Sequence, residues 1–274
     1  MKRCFSMMFL FFLFLAAELA ALPQFTSEEI AGRTAWEEFL KTADIIGVKE
    51  VGEGVTKPLR LTLRKGEVVH DACWKCPSGI QGGFLEGWQY EIAAYQIDKL
   101  LGLNMIPPTV EREYKSKKGA ISLWADSKIR LLELLEKNVQ PPAEAADKLE
   151  KHKYIVRAFD ALIANEDRNQ QNILYTEDWR TLIIDHSRGF RSSEEFTENL
   201  MAGKNARGGK PLLIRKLPRA LVEKIRGLSI ESIKQAVGPY LSDTEIKAVI
   251  IRQGLVLMEI DAMIKELGEN VFYY

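Results

Sequence analysis

The stretch Asp167-Arg168-Asn169-Gln170-Gln171-Asn172-Ile173-Leu174, followed after a turn by Leu182-Ile183-Ile184-Asp185-His186-Ser187, decides how the chain reads. An aspartate heading a D-x-x-x-x-N loop can take a proton from, or orient, a substrate hydroxyl. An asparagine five positions later can turn its carbonyl oxygen toward a hard cation. Asp185 would complete that oxygen cage. The apolar runs 173–175 and 182–184 flank a polar segment from Thr176 to Arg180. They predict a short β-hairpin that returns Asp185 to Asn172. These are the demands of phosphoryl transfer, but Asp, Asn and Arg also populate ordinary loops because their side chains bond nearby backbone. The motif gains meaning only if the upstream chain supplies a nucleotide-binding half in the right order.

Residues 46–77 read as three strands, 46–51, 59–63 and 68–75, with turn residues between them. The first turn holds Gly52-Glu53-Gly54, where missing Cβ atoms would let backbone N–H groups approach phosphate oxygens; a plain hairpin turn would use the same glycines. Lys75 ends the third strand. Glu91 lies in 88–101, whose apolar spacing and good helix formers predict an amphipathic helix stopped by Gly102. Taken singly, Lys75 and Glu91 would read as a solvated lysine and a helix-surface glutamate.

Taken in order, the glycine turn, strand lysine, helix glutamate, Asp-Arg-x-x-x-Asn and Ile-Asp resemble the phosphatidylinositol 3-/4-kinase-like branch of the protein-kinase-like superfamily. That loop usually reads Asp-Arg-His-x-x-Asn; here Asn169 replaces the histidine and its charge, while the base and metal positions remain. The segment 101–110 looks like the bacterial members, where it leads into the fourth strand. The resemblance implies an α+β, two-lobed protein-kinase-like fold, with a small antiparallel β N-lobe carrying one helix and a mainly helical C-lobe. It implies catalytic roles for Asp167 and Lys75. Nucleotide binding would fall to Gly52, Gly54, Lys75, Glu91 and Trp124, and metal binding to Asn172 and Asp185. ATP with Mg2+, or Mn2+ in its place, would be the cofactor pair. The acceptor would be a hydroxyl on a lipid headgroup, small molecule or protein. Asp185-His186-Ser187 departs from the Asp-Phe-Gly of protein and lipid kinases, yet keeps the aspartate with the direct chemical duty.

A chain of 274 residues that is 46% hydrophobic is long enough for a sizeable core, and no Pro-, Gly- or Ser-rich tract divides it. One catalytic domain is expected over 22–274, with an N-lobe of about 40–124 and a C-lobe of about 128–274. Residues 119–124 would be the strand entering the hinge, where Trp124 either faces the adenine ring or packs in the core. Helices are expected over 128–137 and 143–164, broken by Pro141-Pro142, then over 217–228, 230–237 and 242–267. Asp160 reads as structural. The segment 192–210 reads as a surface loop in the place of an activation or substrate loop, with Lys204, Arg207 and Lys210 available to an anionic substrate.

Lys2-Arg3, an apolar run over 5–17 and the small residues before Pro23 fit a secretory signal over 1–21. The run is short of the about 20 residues that span a bilayer, although retained as an anchor it would give the chain a membrane contact. Either outcome places the catalytic domain outside the cytosol, exported or membrane-anchored, where the source of nucleotide becomes a question. Cys73 and Cys76 form a C-x-x-C, the basis of a remote thiol-redox reading, but the surrounding pattern is a β-hairpin lobe rather than a βαβ unit. Histidines 70, 152 and 186 show no zinc spacing. With 38 basic and 38 acidic residues there is no net field for nucleic acid. The sequence thus leads to an active kinase. Its alternative is a non-catalytic nucleotide-binding module or a kinase-fold AMP transferase.

Overall fold

The computed structural model describes residues 25–52, 57–201 and 214–274. Gly54, the signal-like segment 1–21 and the basic residues Lys204, Arg207 and Lys210 lie outside them.

Two helices, α1 (Ser27–Ala31) and α2 (Arg33–Thr42), precede the sheet. Strands β1 (Asp44–Glu50), β2 (Leu59–Lys65) and β3 (Val68–Lys75) follow within a residue or two of the expected bounds. A second hairpin, β4 (Ser78–Gln81) and β5 (Phe84–Gly87), leads directly into α3 (Trp88–Leu101), and β6 (Thr109–Tyr114) and β7 (Lys117–Leu123) complete the lobe. The five-stranded sheet has the order β1-β2-β3-β7-β6, antiparallel at every pairing. One face is dry: Leu61, Leu63, Ala72, Trp74, Val110 and Ile121 pack with Phe39 and Leu40 of α2. Each buried Leu, Val, Ile or Phe among them gains about 1.5–3 kcal/mol from burial, which binds α2 to the sheet.

Gly102 ends α3 in the left-handed conformation, φ 70°, its N–H donating to Asp98 and Lys99 carbonyls, as a C-terminal glycine should. The helix is not amphipathic, however. Nine of its 14 residues are buried, because Ala93, Ala94, Ile97 and Leu101 join the core of the C-terminal lobe. A helix packed against β6 and β7 as well as the helical lobe has no wet face to keep polar.

The second lobe begins with β8 (Ile129–Arg130) and α4 (Leu131–Glu136), then α5 (Ala143–Ile163), β9 (Ile173–Tyr175) and β10 (Thr181–Ile183). The helix expected from 128 starts three residues later, since Ile129 and Arg130 pair with Tyr175 and Leu174 of β9 and so complete a three-stranded sheet. Beyond it come α6 (Glu194–Glu198), α7 (Arg219–Arg226), α8 (Ile230–Val237), α9 (Asp243–Leu267) and α10 (Glu269–Phe272). Ser242 and Glu245 form the capping box expected at the start of α9. Tyr154, Ile155, Ala158, Phe159, Leu162 and Ile163 of α5 are buried beneath the catalytic loop as their spacing predicts.

Candidate active site

Alternation along β3 sends Ala72 and Trp74 into the core and leaves Cys73 and Lys75 on the cleft side. Lys75 Nζ donates to Glu91 Oε1 at 2.8 Å and to Asp185 Oδ1 at 2.9 Å, joining strand, helix and the segment after β10 at one point. Burial alone would lower the lysine's pKa, but the carboxylates of Asp185 and Glu91 outweigh it and hold Lys75 well above its ordinary value. Glu91 answers in the opposite sense. Burial would raise it, and the Lys75 charge with the hydrogen bond from His186 takes it well below 4.5. The His186 N–H donates to Glu91 Oε2 at 3.1 Å, while burial keeps its imidazole pKa below the usual value. Asp185 has φ 64°, a left-handed backbone uncommon for a residue with Cβ and concentrated at functional sites.

The catalytic loop is set by the end of α5. Ala164 takes φ 49° and ψ 51° to terminate the helix. Arg168 then grips Asp160 through two bonds of 3.0 Å and donates to the Ile184 carbonyl at 2.6 Å. Asp160 is therefore the anchor of the loop, as its structural reading implied. The fork geometry of a guanidinium suits this double duty. Ile184 N–H donates to the Asn172 carbonyl at 3.1 Å, so the predicted hairpin does return Asp185 toward Asn172. The Asn172 amide nitrogen donates weakly to the Asp167 carbonyl at 3.4 Å, leaving its oxygen as the end available to a cation. Asp167 is 36% exposed, with Oδ2 3.2 Å from Arg188 Nη1. Burial raises its pKa; Arg188 opposes this, while Asp185 and Glu86 add to it.

A cavity of ≈ 170 Å³ between the lobes is lined by Lys75, Glu91, Asn172, Asp185 and apolar groups that include Val51, Ile106, Leu123 and Leu174. A larger one, ≈ 650 Å³, lies on the far side of the catalytic loop among residues of α4 and α5. The carboxylates of Glu91 and Asp185 and the lysine converge on the smaller cavity. Hard oxygen donors suit Mg2+ or Mn2+, and magnesium sites of this kind add one or two protein ligands to the substrate's phosphates. Among the described residues no cluster of three His, Cys, Asp or Glu side chains could hold a metal by itself. Asn172 and Asp185 thus fit a cation shared with nucleotide phosphates.

The other two expected nucleotide contacts among the described residues differ from each other, Trp124 lining the cavity and Gly52 not. Gly52 has φ 75°, yet its neighbour Val51 lines the cavity and Gly52 does not. Trp124 borders the cavity, with the Arg60 guanidinium 4.3 Å from its ring centroid. Cys73 and Cys76 are free thiols, and burial pushes Cys73 up to about 11, opposite to the lowered value of a redox pair. Glu86 and Arg188, which flank Asp167 and Asp185, belong to no motif in the sequence. Their only signal was proximity in sequence: Glu86 two residues before α3, and Arg188 three after Asp185.

Lys75 on a strand, Glu91 on a helix, and Asp167 and Asp185 on the segments beside them, arranged across a β lobe and a helical lobe, mark a protein-kinase-like fold. No family model and no curated protein matches the chain. Solved structures do: that of hydra Fam20 with sugar superposes at TM-score 0.67, with 14% identity, covering 92% of this chain and 95% of that one. The Golgi casein kinase matches at TM-score 0.61 with Mn and ADP bound, at 12% identity over 91% of this chain and 80% of that one. A second structure of the Golgi casein kinase matches at 0.59, 13% identity, over 91% and 78%. The likeness establishes the fold; the narrower resemblance to the phosphatidylinositol 3-/4-kinase-like branch rests on the sequence motifs.

Proposed function

We propose that the chain is an ATP-dependent kinase that transfers the γ-phosphate to a hydroxyl acceptor outside the cytosol. The observation that carries this is the three-way junction of Lys75, Glu91 and Asp185, with Asp167 beside it. Lys75 would hold the α- and β-phosphates, and Asn172 and Asp185 would hold the divalent cation. When bound, that cation supplies neutralisation of the charge that develops on the transferred phosphoryl group. Asp167 orients the acceptor hydroxyl and receives its proton as the new O–P bond forms and the bond to ADP breaks. The Mn and ADP of the Golgi casein kinase structure support this cofactor pair by analogy. The signal-like N-terminus and the Golgi location in that kinase's name support export. A lipid headgroup, a small molecule or a protein all present the hydroxyl that the site requires.

Calorimetric titration of the purified chain with ATP, with and without Mg2+, tests the reading. Binding should depend on the metal and disappear in Asp185→Ala. Metal-independent binding that survives Asp185→Ala would contradict it.

A further inference from the structure

Asp185 lines the inter-lobe cavity, and Asp167 lies near enough to feel its charge, so two like charges border the path of a triphosphate and repel it. The histidine expected near this loop is Asn169, whose side chain caps the following turn by accepting from Gln171 N–H at 2.9 Å. Arg188 supplies a charge there instead, with Nη1 3.2 Å from Asp167 Oδ2.

What holds Arg188 comes from the β4–β5 hairpin. Alternation on β5 puts Phe84 and Glu86 on one face. The Arg188 guanidinium lies 4.3 Å from the Phe84 ring centroid, and its Nε donates to Glu86 Oε1 at 2.8 Å. The other Glu86 oxygen accepts from Ser187 Oγ at 2.5 Å, and that hydroxyl is 3.2 Å from Asp185 Oδ1. Gly87 N–H seals the junction on the Ser187 carbonyl at 2.9 Å. Glu86 is 3% exposed, and a carboxylate so buried persists only when paired.

We propose that Glu86 is a positioning residue for the phosphotransfer site: it aims Arg188 at Asp167 and Ser187 at Asp185. Arg188 thereby offsets the repulsion between Asp167 and the phosphoryl group as the two draw together in the transition state, a preorganised charge rather than one recruited during reaction. This inference rests on the phosphotransfer reading above. Its rival is a simpler role of Glu86 as a staple for the hairpin.

Magnesium-dependent ATP hydrolysis, with water as acceptor, separates the two in the full chain. Glu86→Gln and Arg188→Met should each lower kcat about tenfold or more, with KM for ATP within about twofold and Tm little changed. Arg188→Lys should recover part of the loss, and the double variant should be no worse than the poorer single one, as for residues acting in one unit. Variants with unaltered kcat, or with kcat, ATP affinity and Tm falling together, would overturn the inference alone, provided the unmodified chain turns over. No turnover in the unmodified chain would overturn the phosphotransfer reading and this inference with it.

Discussion

Lys75 is shared between Glu91 and Asp185, and the sharing explains why its charge survives 13% exposure. Burial alone would lower the pKa of such a lysine; the carboxylates of Asp185 and Glu91 outweigh it and keep a cation able to meet phosphates. Glu91 gives the pH prediction. Its folded pKa lies below 4.5, so it contributes stability above that value and loses it as pH falls toward the depressed one. Thermal melts from pH 6 downward should therefore show a shallower acid loss in Glu91→Gln than in wild type; parallel curves would contradict the pairing. Lys75, Glu91, Asn172 and Asp185, which line one cavity, were legible in sequence because their types and order form a recognisable motif. Glu86 and Arg188 were not. They lie 102 residues apart, and nothing local in a glycine-rich turn or after a metal aspartate announces a partner that only the fold supplies.

At the scale of elements, α3 matters most. It is buried between both lobes, and Tyr90 Oη–H donates to Glu245 Oε1 of α9 at 2.6 Å, so Glu91 reaches Lys75 without awaiting another segment. The 3.6-residue period and Gly102 revealed the helix; its all-round burial stayed hidden because Ala and Tyr serve either a core or a half-wet surface. Likewise β8 is too short to show a period and exists through its pairing with β9. Strand β7 approaches β3 so closely that a Cβ on Gly119 would lie 2.4 Å from the Lys75 carbonyl. Gly119→Ala should push β3 and its lysine aside, costing about 1–3 kcal/mol by overpacking. Denaturant unfolding should register that cost together with weaker ATP binding; an unchanged midpoint would place the strands further apart.

For the whole molecule, the helical lobe acts as a support for the loop that carries Asp167. Arg252 of α9 is fully buried and donates to the carbonyls of Leu162 and Arg191 at 2.8 and 2.6 Å. It thus ties the end of α5 to the segment following Asp185. Burial lowers its pKa to about 10, still leaving a cation at neutral pH. Arg252→Met strands two buried carbonyls and should cost about 2–4 kcal/mol, read by urea unfolding at unchanged slope. A neutral substitution would show that water replaces the guanidinium.

The central claim is that these parts assemble into a γ-phosphotransfer site, and turnover with ATP labelled separately at the α- and γ-phosphates tests it most directly. The unmodified chain with Mg2+ or Mn2+ should release or transfer the γ-label. Asp167→Asn should bind nucleotide normally yet lose about 10²–10⁴-fold in rate, the usual contribution of a positioned acid–base group. Transfer of the α-label, or γ-turnover equal in Asp167→Asn and wild type, would contradict the account.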